Sequence, residues 1–195
     1  MDIKSQLEIE LKRKLQNFNL SESYGHRTVG DKLEADAADI VSGLFTNEFR
    51  NPNSKRSIDD FSLVIQNQIN FFDVKTHYIQ SAKGFSMPNL ISVKRLKSVL
   101  ENNLQTLSYI FIDYKRENGE VLIEDIHIKY VWELDWSILT IGALGKGQLQ
   151  IKDANKDLTF TTIGKDAWFD ILKVKVNEFY KKELNKIEKE LKLWN

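Results

Sequence analysis

Two apolar runs separated by a short polar break, Phe61-Ser62-Leu63-Val64-Ile65 and Ile69-Asn70-Phe71-Phe72, constrain this chain more than any other stretch. They are rich in β-branched and aromatic residues, and the break at Gln66-Asn67-Gln68 is short. The segment therefore reads as strand, tight connection, strand. Asp60 opens the first strand, and Asp73 and Lys75 close the second. Antiparallel neighbours bring the start of one strand beside the end of the next, which places Asp60 and Asp73 a few ångströms apart. Residues two apart share a face of a strand, so Asp73 and Lys75 point the same way and Val74 the other.

Two carboxylates held so close repel each other unless a cation lies between them. As structure alone such a pair is costly, whereas as a seat for a hard divalent cation it is natural. Lys75 then completes a set of groups suited to a metal, a water and a phosphate. The competing reading is a salt-bridged strand pair with no chemistry attached.

The rest of the chain sets bounds. Its 195 residues suit a single domain spanning 1–195, and two prolines with no Gly/Ser-rich run leave no evident linker. The absence of cysteine excludes a disulfide framework, a thiolate metal site and a Cys nucleophile, and fits a cytoplasmic protein. No apolar run approaches the ~20 residues of a membrane span, and the charged N-terminus lacks a signal core. The 28 basic and 28 acidic residues balance, which argues against attachment to nucleic acid by bulk charge alone.

Along the chain, Ile3, Leu7, Leu11, Leu15 and Phe18 predict an amphipathic helix. Asp31 suits the N-cap of a second helix with Leu33, Ala37, Ile40, Val41, Leu44 and Phe45 as its apolar stripe. Glu34 then falls in the first turn, either as a capping or dipole partner or as a third acidic group aimed at the Asp60–Asp73 pair. Thr46 to Arg56 reads as a polar connection, and Leu90 to Leu104 returns to helical period with Lys94, Arg95 and Lys97 on its exposed side. That basic face is a solvated surface or a phosphate contact.

Strand character resumes at Leu107 to Lys115, turns at Glu117-Asn118-Gly119 and continues through Val121 to Trp132, extending the central sheet. The loop Gly142 to Gly147 carries Lys146 but matches no phosphate-binding loop pattern. A long amphipathic helix over about 166–193 closes the chain, to cover the sheet or pair with a second copy.

The triplet acid-x-Lys recurs at Asp2-Ile3-Lys4, Glu10-Leu11-Lys12, Asp113-Tyr114-Lys115 and Glu190-Leu191-Lys192. Three of these lie in helical patterns, where the first and third residues diverge. Asp113-Tyr114-Lys115 also ends a strand, but no acidic residue opens a strand before it. Only Asp73-Val74-Lys75 has both halves, with Asp60 twelve intervening residues upstream.

With Asp59-Asp60-Phe61, Asp73-Val74-Lys75-Thr76 and a preceding helix that carries Glu34, the sequence resembles the PD-(D/E)xK nuclease superfamily, and within it the type II restriction endonucleases. The family's motif usually begins Pro-Asp. Here Asp59 stands in the proline's place, and Asp60, directly before Phe61-Ser62-Leu63, matches the family's aspartate. The resemblance covers about 31–131, half of the chain, in the family's order of helix, three-stranded meander, helix and strand. It implies a mixed α/β, restriction-endonuclease-like core with a central mixed sheet flanked by helices.

The resemblance also implies an activity, namely Mg²⁺-dependent hydrolysis of phosphodiester bonds in double-stranded DNA, with Mn²⁺ as a possible substitute. Asp60, Asp73, the Val74 carbonyl and Glu34 would bind the metal, and Lys75 would orient the attacking water. The family often has an acidic residue on the helix before the meander, which favours the functional reading of Glu34. DNA contacts would involve Lys94, Arg95, Lys97, His77 and Lys146. One metal site cuts one strand, so a double-strand break calls for a homodimer or a partner subunit. A repair or recombination nuclease, the catalytic small subunit of a heterodimeric restriction enzyme, and a DNA-binding relative without activity remain alternatives.

Overall fold

In the computed structural model, which describes residues 3–16, 18, 20, 24–54, 57–79, 89–143, 146–152 and 158–194, the paired apolar runs form a hairpin of β2 (Phe61–Ile65) and β3 (Gln68–Tyr78). Phe61 pairs with Phe72 and Ile65 with Gln68. The two-residue turn between them puts Gln66 and Asn67 at φ 49° and 65°. These left-handed values match the right-handed twist of the flanking strands.

The chain divides into two compact units, one comprising 1–86 and 102–131, the other 87–101 and 132–195. In the first, a five-stranded mixed sheet has the order β1-β2-β3-β5-β6, with β1 at Phe49–Arg50, β5 at Gln105–Glu117 and β6 at Glu120–Tyr130. β1 falls within the stretch expected to be a plain polar connection. Phe49 supplies the apolar anchor, stacking on Phe61 with ring centroids 5.5 Å apart. β3 and β5 run parallel over ten register pairs, from Ile69–Gln105 to Tyr78–Tyr114. β5 and β6 form the long second hairpin, whose turn residues Asn118 and Gly119 again have positive φ.

Two helices flank this sheet. α1 (Ile3–Leu15) buries Leu7, Leu11 and Leu15, and α2 (His26–Leu44) buries Val29, Leu33, Ala37 and Val41. They join Phe72 and Val74 of β3, Ile110 and Ile112 of β5, and Ile126 and Ile128 of β6 in one core. Each fully buried leucine contributes about 1.5–3 kcal/mol relative to exposure. β6 is an edge strand, and Glu8 of α1 accepts the Ile128 N–H at 3.2 Å, covering part of that edge.

α2 begins at His26, five residues before the start expected at Asp31, and Gly25 rather than Asp31 is its N-cap. Val29 extends the four-residue spacing of Leu33, Ala37 and Val41 back one turn, so burial rather than a capping side chain decides where the helix starts. Glu34 therefore lies in the third turn, which removes the capping reading.

The second unit holds a three-stranded antiparallel sheet in the order β4-β8-β7, with β4 at Asn89–Ser92, β7 at Leu139–Gly142 and β8 at Gln148–Ile151. α3 (Val93–Glu101) follows β4 directly, so the helix expected from Leu90 starts three residues later. Leu90 and Ile91 are buried as strand residues, and their apolar character had merged with the helical stripe. α4 (Lys165–Leu191) is anchored by Trp168, whose indole N–H donates to the Leu134 carbonyl at 2.8 Å and whose ring stacks on Trp136. Among the described residues, no helix is long and apolar enough to cross a membrane. The loop expected after Tyr78 lies, over 80–88, outside the described residues, as do residues 144 and 145 of the glycine-rich loop.

Candidate functional site

Asp60 stands one residue before β2, at the end of the hairpin ladder. Its main-chain N–H donates to the Phe72 carbonyl at 2.8 Å, and its carboxylate Oδ2 accepts the Val74 N–H at 2.7 Å. The side chain thus continues the ladder that the backbone of β2 abandons, and Asp60 is fixed beside the Asp73-Val74-Lys75 segment. Asp59 is turned elsewhere: it is buried, and its carboxylate accepts a short hydrogen bond from the Ser57 hydroxyl.

The alternation of β3 sends Phe72 and Val74 into the helix-covered core and leaves Asp73 and Lys75 on the opposite side. Lys75 Nζ lies 2.7 Å from Asp73 Oδ2, with the two side chains 23% and 13% exposed. Among the described residues, that oxygen accepts no hydrogen bond of regular geometry despite being buried, so Lys75 neutralises it as a charge more than it satisfies it as an acceptor. Burial outweighs the lysine, and with the Asp60 and Glu34 carboxylates nearby the Asp73 carboxyl is pushed up to about 7.

Glu34 reaches the same group from α2. One turn earlier on that helix, a Cβ at Gly30 would meet Thr76 Oγ1 at 3.1 Å, so glycine lets α2 lie close against β3. Residues four apart share a helix face, and the close approach at Gly30 carries Glu34 to Asp60 at the start of β2. As a residue Glu34 keeps an exposed edge, but its carboxyl is raised above its ordinary value by partial burial, then by the charge of Asp60 and a hydrogen bond shared with it. Lys75 opposes that rise.

Glu34, Asp60, Asp73 and Lys75 therefore form one electrostatically coupled cluster. Among the described residues, no group of three or more His, Cys, Asp or Glu side chains stands in the arrangement of a formed metal site. The Asp73 and Glu34 carboxyls instead lie within electrostatic reach of the Lys75 ammonium. The donor chemistry still suits a hard cation: the oxygens are carboxylate, the buried Asp73 Oδ2 has spare acceptor capacity, and two carboxyls are raised chiefly by burial and further by their neighbours' charge.

Tyr109 is a member of this neighbourhood that the sequence did not disclose. It is the parallel-register partner of Asp73, wholly buried, and its hydroxyl has no hydrogen-bond partner among the described residues. Burial and the Asp73 charge raise its pKa well above the ordinary phenol value. Only the pairing of β3 with β5, which sequence reading did not supply, could have identified it.

The remaining candidates are not brought into the cluster. His77 shares the Asp73–Lys75 face, but its Nδ1 lies 3.1 Å from Asp113 Oδ1 across the parallel pair. The rival triplet is thereby divided, since Asp113 engages His77 while Lys115 pairs with Glu117 at 3.0 Å and Glu124 at 2.8 Å. His26 and His127, which had no partner evident in the sequence, meet the Tyr114 hydroxyl at 2.8 Å and Asp125 at 3.3 Å. Lys94, Arg95 and Lys97 lie exposed on α3 in the second unit, with Lys97 paired to Glu101. Lys146 belongs to that unit as well, at φ 66°, and its carbonyl accepts the Tyr180 hydroxyl at 2.7 Å.

No family model matches the sequence, and no curated protein matches it. Among solved structures, the chain is similar to the NlaIV restriction endonuclease at a TM-score of 0.53 and 16% sequence identity, over 93% of this chain and 89% of that one. The mixed α/β architecture, with its central mixed sheet flanked by helices, is a restriction-endonuclease-like fold.

Proposed function

We propose that this chain is a Mg²⁺-dependent endodeoxyribonuclease that hydrolyses phosphodiester bonds in double-stranded DNA, as a sequence-specific restriction enzyme of the PD-(D/E)xK type. The observation that carries the reading is the convergence of Glu34 from α2, Asp60 from the start of β2, and Asp73 and Lys75 from β3 in one coupled cluster. The restriction-endonuclease-like fold supports it.

Asp60, Asp73 and the Val74 carbonyl, with Glu34, would hold Mg²⁺ or Mn²⁺, which when bound supplies a Lewis acid for a phosphate oxygen and lowers the pKa of a bound water. The protein's own contribution follows from its charges. With a cation held there, the ionised form of Asp73 would be favoured and the Lys75 ammonium, now its 2.7 Å counter-charge, would be available to the substrate. Lys75 would then orient the attacking water and stabilise the negative charge that grows on the phosphoryl oxygens. The Val74 N–H keeps the Asp60 carboxylate aimed while this happens. His77, held by Asp113 further along the strand, belongs to the substrate-facing side rather than to the chemistry.

Cleavage of both strands requires two such sites, supplied by two copies of the chain. The exposed apolar residues Tyr180, Leu184, Ile187 and Leu191 follow one another at helical spacing on α4 and suit a contact with a second copy. The test is digestion of supercoiled plasmid and a mixed DNA panel with Mg²⁺, Mn²⁺ or chelator, followed by sequencing of the ends. Linear product with recurring end sequences is expected. Open circles alone would point to a partner subunit, random ends to a repair-type nuclease, and intact DNA would contradict the proposal.

A further inference from the structure

In the second unit, two adjoining grooves run between β7 and one face of α4, with volumes of about 440 and 240 Å³. Ile141 and Phe179 line both and form an apolar floor, and Lys182 borders both. The larger groove adds Lys186 and Lys189, and the smaller adds Lys175 and Lys152. Lys175, Lys182, Lys186 and Lys189 are spaced by seven, four and three residues, which is one face of a helix. At a rise of 1.5 Å per residue this basic face runs for about 21 Å.

Among the described residues, half of the charge on that face is uncompensated. The two carboxylates that line the grooves are each taken by a lysine: Glu178 by Lys175 at 3.8 Å, and Glu183 by Lys186. Lys152 donates to the Ser137 carbonyl at 3.2 Å. Lys182 and Lys189 have no carboxylate within ion-pair distance among the described residues. A chain with equal numbers of acidic and basic residues thus concentrates positive charge along one recess.

We infer that this recess binds the phosphate backbone of duplex DNA. Lys182 and Lys189 are about 10.5 Å apart along the helix, the axial span of about three phosphates on one strand. Their aliphatic stems can lie on the Ile141 and Phe179 floor while the ammonium groups stay at the rim. A bilayer offers a plane of charge, whereas a groove with a helix wall and a strand wall admits a ridge such as a nucleic-acid strand. The contact carries no sequence information, since phosphates position and bases specify. The identity of the polyanion rests on the nuclease reading, and the site is separate from the acidic cluster.

The experiment is fluorescence anisotropy of the full chain with a short labelled duplex in chelator, over a salt series, so that binding is read without cleavage. The Lys182→Glu/Lys189→Glu variant is expected to bind at least about tenfold more weakly, with the slope of log affinity against log salt reduced by about two. Lys181→Glu makes the same kind of charge change on α4 outside both grooves and is expected to bind like wild type. Should the double charge reversal disturb folding, Lys182→Gln/Lys189→Gln is expected to show the same loss of slope.

Wild-type binding and slope in the groove variants would overturn the inference and leave the nuclease reading untouched. Groove-dependent binding without any cleavage in Mg²⁺ would uphold the groove and sink the nuclease reading. Tighter Lys182/Lys189-dependent binding to phosphatidylserine vesicles than to the duplex would overturn the inference in favour of a membrane surface.

Discussion

The Asp60 carboxylate accepts the main-chain N–H of Val74 at 2.7 Å, although fourteen residues separate them in sequence. The bond ties the residue before β2 to the middle of the Asp73-Val74-Lys75 segment, so the Asp60 carboxylate helps hold the two halves of the cluster at their spacing. Substitutions of Asp73 or Lys75, which leave that bond in place, should therefore alter charge more than position.

The first consequence concerns pH. The Asp73 carboxyl is pushed up to about 7 from an ordinary value of 3.8, chiefly by burial. A carboxyl raised on folding favours the protonated form, so its stabilising contribution is complete below about pH 4 and is lost as pH rises through about 7. Asp73→Asn mimics the neutral form and keeps that contribution. In chelator the variant should melt higher than wild type at pH 8 and alike at pH 4, by at most about 4 kcal/mol. Parallel melting curves across this range would show that burial does not govern Asp73.

A divalent cation should act in the opposite sense. It favours the ionised carboxylates of Glu34, Asp60 and Asp73, and a ligand that binds only the folded state stabilises by about 2.7 kcal/mol at a hundred times its dissociation constant. Thermal melts at pH 8 should rise with Mg²⁺ or Mn²⁺ in wild type and much less in Asp73→Asn. An equal rise in both would place the cation elsewhere.

Asp73 and Asp113 make the sharpest internal comparison. Both begin an acid-x-Lys triplet on adjacent parallel strands, but Asp73 neighbours Lys75, Asp60 and Glu34, whereas Asp113 meets His77. Asp73→Asn should abolish DNA cleavage, while folded Asp113→Asn should retain it within about tenfold, a loss of about 1.4 kcal/mol. Equal losses in plasmid assays would assign the chemistry to the wrong strand.

How much of this was readable beforehand follows from which interactions are local. The β2–β3 hairpin, Asp60, Asp73 and the shared face of Asp73 and Lys75 all depend on strand alternation and a short connection, both visible in the sequence. The expected three-residue break shortens to a two-residue turn because Gln68 joins β3. The parallel pairing of β3 with β5 is not local, and neither Tyr109 beside Asp73 nor Asp113 beside His77 could be placed without it. Helix ends misled for a related reason. Asp31 has the chemistry of a cap, but the burial of Val29 carries α2 on to Gly25, and the close approach at Gly30 is what delivers Glu34. β4 escaped notice because Leu90 and Ile91 fit the apolar period of α3 as well as a strand.

The central claim is that Lys75 acts on the reacting phosphate rather than merely balancing Asp73, and Lys75→Ala tests it most directly. Interactions made only in the transition state lower turnover without weakening ground-state binding. The measurement pairs anisotropy binding of duplex DNA in chelator with single-turnover cleavage in Mg²⁺, using variant protein shown to be folded by its melting curve. The account predicts affinity within a few-fold of wild type and cleavage reduced by at least about a thousandfold, or about 4 kcal/mol. Cleavage by Lys75→Ala at the wild-type rate would contradict it.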